Sequence, residues 1–378
     1  MSKILLDKNF IFITREGRKD PGARARSWGF SEQLNEKGFR SSVVSFVENL
    51  GAKSGGEDAN FTLLEKIIYA FKGYKFLLKK ANNPIFIINR FNYHTIPVWI
   101  LSKIKKIPFI FDMDDWEARE DISNYFGVFP RSKAEYLTRK LASESICCIA
   151  ASNYLKDYLS KQNKKVYYLP SGVDIKEFYP SFSAEEKKKM VFSWHGTLNR
   201  IEILDYIKFI IDCFLVLYRK YPFIKLFIAG EGTFDGQLAM MIEKYRCNGI
   251  VYQRWIKPEN ISEYLDEVDV GLVPLFDTTK FNLSKSPVKL FEYMAKGKPV
   301  IASAVGEANF IIQSGYSGLL SYNKEEFLSN MELMISDRNL AKTIGINGLE
   351  VVRKKYSLNL AGDKLYSIIA DNISELMR

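Results

Sequence analysis

The chain has 378 residues, 47% of them hydrophobic and 26% charged, which excludes disordered and fibrous classes and suffices for two domains at about 100 to 200 residues each. No window approaches about 18 consecutive apolar residues, and the opening MSKILLDKNFIFITREG is broken by charge, so neither a spanning helix nor a secretory signal is expected. The net charge of +10 is uneven: residues 1–180 hold 29 Lys+Arg against 20 Asp+Glu, and residues 181–378 hold 25 against 24. A basic half predicts a polyanionic partner: nucleic acid, an anionic membrane surface or a phosphorylated substrate. The four cysteines show no metal spacing, and the adjacent Cys147 and Cys148 are poor bridging partners, which predicts a reducing, cytoplasmic setting.

Short apolar runs alternate with longer amphipathic stretches, the pattern of strand and helix units in a parallel sheet. In the first half, strands are expected at 10–14, 42–46, 85–88, 109–111, 146–150 and 166–169, with helices at 25–37, 61–80, 95–104, 132–144 and 152–161. The loop REGRKDPGARARSWGF, residues 15–30, places Gly22, Arg24 and Arg26 after the first strand. Arginine offers two parallel donors to a phosphate, so the loop reads as a phosphate or acceptor loop, or as a surface loop with hydrated charges. Residues 61–83 carry Lys66, Lys72, Lys75, Lys79 and Lys80 against Glu65, among Phe61, Leu64, Ile68, Phe71, Leu77 and Leu78. Such a helix lies on an anionic membrane, or packs its apolar stripe on the sheet and leaves the lysines in water.

His94 follows the third strand, where it orients an acceptor or serves structure. The segment FIFDMDDWEARE, residues 109–120, ends an apolar strand in clustered carboxylates. Close acids do not ionise together easily when buried, so one of Asp112 and Asp114 is a candidate general base for a hydroxyl. The other readings are a helix-capping loop and, from the D-x-D spelling of Asp112, Met113 and Asp114, a divalent-metal site.

Pro170, Gly172 and Pro180 and the polar residues after them mark a linker within 169–189. Beyond it, strands are expected at 190–194, 224–228, 250–252, 270–273 and 300–302, and helices at 201–218, 234–244, 261–267, 288–296, 324–336 and 341–355. In SKSPVKLFEYMAKGKPVIASAVGE, residues 284–307, Ser284, Ser286 and Pro287 precede a helix that carries Glu292. A helix N-terminus suits a diphosphate, and an ionised carboxylate can accept from both hydroxyls of a ribose. The other reading is a serine cap and a solvated charge.

This segment resembles the donor motif of family 4 glycosyltransferases of the GT-B fold, in which a Glu-x7-Glu pair precedes an AMA-x-G-x-PVV run. YYLPSGVDIKEFYP, FSWHGTLNR, LFIAGEG and VYQRWIKPENISEYLDEVDVGLVP resemble further segments of that family in the same order, across residues 167–320. The resemblance implies an α/β chain of two Rossmann-like, doubly wound domains facing across a cleft: acceptor domain 1–175, nucleotide-sugar domain 176–356, and a helix at 357–378 crossing back. It implies Glu292 on the ribose, Ser284 at the family's first glutamate, and Lys285, Ser286 and Lys289 near the diphosphate. Gly196, His195 and Arg200 remain in the phosphate loop, with Thr197 at the usual arginine. Gly230 closes the G-x-G strand, the backbone at Trp255 and Ile256 holds the base, and Gly22 belongs to a loop closing on the donor. Asp114 falls at the family's cleft histidine.

The implied reaction transfers a sugar to an acceptor hydroxyl with retention. It needs no obligatory metal and uses a UDP-sugar first, with a GDP-sugar as the second choice. The expected partners are a nucleotide-sugar, a glycan or lipid-linked acceptor and an anionic membrane met by 61–83; no nucleic-acid recognition motif accompanies the charge. The setting is cytoplasmic, peripheral on the inner membrane face. Rival readings are a hydrolysing nucleotide-sugar epimerase and a non-catalytic binding subunit that keeps the nucleotide fold.

Overall fold

The computed structural model describes residues 7–53, 61–80, 83–116, 131–180 and 189–376. The expected features at residues 1–6, 81–82, 117–120 and 181–188 lie outside them. The chain divides into two compact units, one of Met1–Gly172, Thr279–Ser286 and Leu358–Arg378, the other of Val173–Thr278 and Pro287–Ser357.

The first unit is a parallel sheet of β1 (Asn9–Thr14), β2 (Arg40–Ser45), β3 (Pro84–Asn89), β4 (Phe109–Met113), β5 (Cys148–Ala150) and β6 (Val166–Tyr168), in the order β2-β1-β3-β4-β5-β6. Every residue of β3 and β4 is buried, as a parallel strand covered on both faces requires. Strand alternation divides the core: Ile11, Ile13, Phe86, Ile88 and Phe111 pack on one face. Phe10, Phe12, Ile85, Ile87 and Ile110 pack on the other, where Leu365, Ile368 and Ile369 of the helix Leu358–Leu376 cover them.

The second unit repeats the plan with β7 (Met190–His195), β8 (Ile224–Ala229), β9 (Ile250–Gln253), β10 (Val270–Val273), β11 (Val300–Ser303) and β12 (Leu319–Ser321), all parallel in the order β12-β11-β10-β7-β8-β9. Phe192, Trp194, Leu226 and Leu272 pack with Ile207, Ile211 and Phe214 of the helix Glu202–Lys220. On the opposite face Val273, Val300 and Ala302 meet Leu290, Phe291 and Met294 of the helix Val288–Ala295. Both units are doubly wound α/β sheets, the fold class the alternating pattern predicts.

Local departures have local causes. The helix expected from residue 25 begins at Pro21, where the Asp20 carboxylate accepts from Ala23 N at 2.8 Å and proline fits the first turn. A π-helical stretch, Arg24–Trp28, then precedes the helix Gly29–Glu36 and turns Arg26 into the core. The strand expected to reach residue 46 stops at Ser45, which caps the short helix Phe46–Leu50. Cys147, Cys148 and Cys213 are buried, and desolvation pushes their thiols up to about 12, so they are inert packing groups.

Candidate functional site

In the second unit, His195 closes β7 and its imidazole bridges two side chains of the helix Val288–Ala295. Nδ1 is 2.8 Å from the Tyr293 hydroxyl and Nε2 is 2.9 Å from Glu292 Oε2. The Tyr293 hydroxyl also lies 2.9 Å from the carbonyl of Ser193. A carbonyl only accepts, so the phenolic proton goes there and His195 Nδ1–H donates to the tyrosine oxygen. Burial, with Tyr264 next in effect, holds the Tyr293 phenol well above its usual range, which keeps it a neutral relay. The ring fits because β10 has glycine beneath it: a Cβ on Gly271 would lie 2.4 Å from the Tyr293 ring.

The strand-end glycines have a similar steric cause. A Cβ on Gly230 would lie 2.4 Å from the Gly196 carbonyl, and one on Gly232 would lie 2.6 Å from Leu198 backbone carbon. The loop after β7 is further held by Leu198 N donating to Glu231 O at 2.9 Å. Lys289 Nζ sits 4.4 Å from the centre of the Trp194 ring beside Gly196, a cation over an aromatic face. Arg200 bonds Glu202 at 2.7 Å, and Thr197 is exposed. Trp255 is exposed and Ile256 half-buried just past β9.

Ser284, Lys285 and Ser286 belong to the first unit. Ser284 Oγ accepts from Trp116 N at 2.9 Å and donates to Phe281 O at 2.8 Å, while Ser286 Oγ accepts from Ser171 N at 3.0 Å. The hydroxyls that the motif assigns to a nucleotide thus tie together backbone of this unit. Lys285 Nζ lies 3.8 Å from Asp115 Oδ2 and over the Phe281 ring.

In the same unit the adjacent strands β1, β3 and β4 bring their following residues to one edge, where parallel sheets present loops to ligands. Arg15 Nε bonds Glu16 at 2.7 Å, and Arg90 Nε pairs with Asp114 Oδ1 at 2.9 Å. Asp112 is fully enclosed by Arg26, whose Nε reaches Oδ2 at 2.7 Å and whose Nη1 donates to Leu169 O at 2.9 Å. Burial raises the Asp112 carboxyl against the pull of Arg26. Burial, then Glu16, also raises that of Asp20. Arg26, expected on a phosphate loop, and Asp112, expected to catalyse, are therefore each other's buried partners. Both carboxylates of the D-x-D triplet are engaged by arginines. Gly22 lies in the first helical turn, with Arg24 half-buried after it.

His94 Nε2–H donates to the Asn89 carbonyl at 2.7 Å, its Nδ1 has no hydrogen-bond partner among the described residues, and desolvation, aided by Arg15 and Arg90, lowers it to about 3. It is a neutral imidazole. Sequence reasoning missed Tyr293 and Ser193 beside His195, and Arg90 beside Asp114. Arg90 carries the signal used for Asp112 and Asp114: a charge directly after an apolar run.

Residues 190–337 match the family described as Glycosyl transferases group 1. Over 95 residues, 25% of this chain and 23% of the relative, the chain is 34% identical to the amylovoran biosynthesis glycosyltransferase AmsK of Erwinia amylovora. Over 208 residues, 51% of this chain and 50% of the relative, it is 26% identical to a Bacillus subtilis protein named as the teichuronic acid biosynthesis glycosyltransferase TuaH. The chain thus spans about a quarter to a half of the length of the curated relatives it matches.

Two solved structures align along nearly the whole chain. Sucrose-phosphate synthase from Thermosynechococcus elongatus gives a TM-score of 0.76 at 16% identity, covering 97% of this chain and 100% of that one. Anabaena HepE in complex with UDP-glucose gives 0.72 at 14% identity, covering 96% and 99%. At these identities the likeness is one of fold, and the fold is GT-B.

Proposed function

We propose that the protein is a retaining family 4 glycosyltransferase that moves a sugar from a nucleotide-sugar to an acceptor hydroxyl in bacterial surface-glycan synthesis, in the cytoplasm. The observation that carries the reading is the His195–Glu292 pair at the carboxyl end of β7, within the segment that matches the family model. The curated relatives named for amylovoran and teichuronic acid biosynthesis support the glycan setting, and HepE, crystallised with UDP-glucose, supports a UDP-sugar ahead of a GDP-sugar.

In this reading the second unit, as a nucleotide-sugar domain over 176–356, binds the donor. Glu292 holds the ribose, fixed in orientation by His195. Lys289 and Arg200, with the backbone N–H of Thr197 next to Gly196, offset charge on the leaving diphosphate, the kind of effect that usually contributes most. The base rests on the backbone at Trp255 and Ile256 beside Gly230. The first unit, as an acceptor domain over 1–175 braced by 357–378, binds a glycan or lipid-linked acceptor. Asp114 takes up the proton of the acceptor hydroxyl, Arg24 meets phosphate near Gly22, and no metal is needed.

A second reading, a nucleotide-binding subunit without catalysis, is favoured by one observation: the Ser284 hydroxyl is occupied by Trp116 and Phe281. Thermal shifts with UDP, GDP, CDP and dTDP should select one diphosphate, since a ligand stabilises the fold in proportion to the logarithm of its excess. Hydrolysis of the matching sugar donor by purified protein then supports the transferase. Binding without turnover of donor would leave only the subunit, and no shift with any diphosphate would end both readings.

A further inference from the structure

The helix Leu63–Lys80 has two apolar faces, and only one is covered. Its inner face is narrow: Gly73 and Leu77 are buried, and Gly73 lies so close to its neighbours that a Cβ would come 2.5 Å from the Phe46 ring and 3.1 Å from Pro97. At about 100° per residue, Leu64, Ile67, Ile68, Phe71 and Leu78 fall together on the opposite side in a stripe about 100° wide. They are exposed, Leu64 by 66% and Phe71 by 56%. Of the apolar residues expected to form one stripe, Phe61 and Leu77 pack inward, whereas Leu64, Ile68, Phe71 and Leu78 face outward. Lys75 stands within the outer stripe and Lys72 and Lys79 along one border, with Lys75 Nζ 4.5 Å from the Phe71 ring and Lys72 Nζ 4.7 Å from that of Tyr69. The helix Ile96–Lys105, next to it through Pro97, exposes Ile100 and Ile104 one turn apart, the latter by 63%, beside Lys103 and Lys105.

We infer that this outer face is a docking surface for an anionic lipid bilayer. An exposed apolar stripe bordered by lysines is the geometry of a helix lying in a membrane interface, with side chains among the acyl chains and ammonium groups at anionic headgroups. Among the described residues no helix is long and apolar enough to cross a membrane, so the helix lies on the bilayer. A second copy of the chain fits poorly, because a symmetric contact would bring the lysine borders together, and the helix's single carboxylate, Glu65, is already paired with Lys53. The inference stands on the helices and not on the donor chemistry.

Flotation of the full chain with phosphatidylcholine vesicles, with and without phosphatidylglycerol, tests it. Binding is expected only with phosphatidylglycerol, and should weaken as salt shortens the screening length from about 30 Å at 0.01 M to about 8 Å at 0.15 M. Changing Lys72, Lys75 and Lys79 to Ser should lower partitioning on the order of a hundredfold, about fivefold per lysine. The exposed triple variant Leu64→Ser, Ile67→Ser, Phe71→Ser should lose binding while keeping the wild-type melting temperature and UDP-induced shift. Wild-type protein that stays unbound at low salt overturns the inference, as do variants that float like wild type. A dimer in sedimentation that the apolar variant dissolves would also overturn it, by assigning the face to self-association. A missing UDP shift would bear on the donor reading alone.

Discussion

His94 is the residue at which burial has the plainest thermodynamic consequence. Its imidazole is lowered from 6.5 to about 3 by burial first, so between these values the unfolded chain binds a proton that the folded one refuses. Stability from this group is intact above about pH 6.5 and is lost as pH falls toward 3. Between about pH 7.5 and about pH 5.5 the wild type should lose about 1.4 kcal/mol more than His94→Gln, whose amide can still donate to the Asn89 carbonyl. Urea unfolding at both values checks this; equal losses would contradict it. For Asp114, paired with Arg90 at a strand end, Asp114→Asn should lower turnover by on the order of 10² to 10⁴ while nucleotide affinity stays within about twofold. Near-normal turnover would move the base role elsewhere at this edge. Sequence located these groups because charges directly after apolar strands are conspicuous. It could not pair Arg26 with Asp112 or His195 with Glu292, since those partners stand 86 and 97 residues apart.

At the scale of elements, apolar runs and turn residues located eleven of the twelve strands among the described residues, and β12, three residues long, fell below what a short pattern reveals. The face a helix presents was harder. The helix Leu63–Lys80 has apolar side chains around most of its circumference, so its inner side was decided by Gly73, whose missing side chain permits the close approach to Phe46. The G-x-G motif was legible as a strand end but not in its cause, the loop after β7 folding over it. Two glycine variants separate these roles. Gly230→Ala meets the Gly196 carbonyl and should cost about 1 to 3 kcal/mol, because neither backbone can move independently. Gly236→Ala, with nothing within 4 Å at an exposed position of the helix Asp235–Tyr245, should instead gain a few tenths to about 1 kcal/mol. Denaturant midpoints moving the same way in both would refute the steric account.

At the scale of the whole chain, the doubly wound plan was written in the alternation of strands and helices, and the order of its motifs carried a resemblance that the match at 190–337 supports as far as glycosyltransferase. The charge division was legible too, as an excess in residues 1–180. The site of Ser284 and Ser286 was not, because each hydroxyl bonds a backbone amide more than a hundred residues away. In the function proposed above, the second unit binds a nucleoside diphosphate through Glu292, held by His195. Calorimetric titration of wild type and Glu292→Ala with the diphosphate selected by thermal shift tests it most directly. Wild type should bind saturably, and the variant more weakly by about 1.5 to 3 kcal/mol, the worth of hydrogen bonds to a charged group. Equal affinity in the two proteins would contradict it.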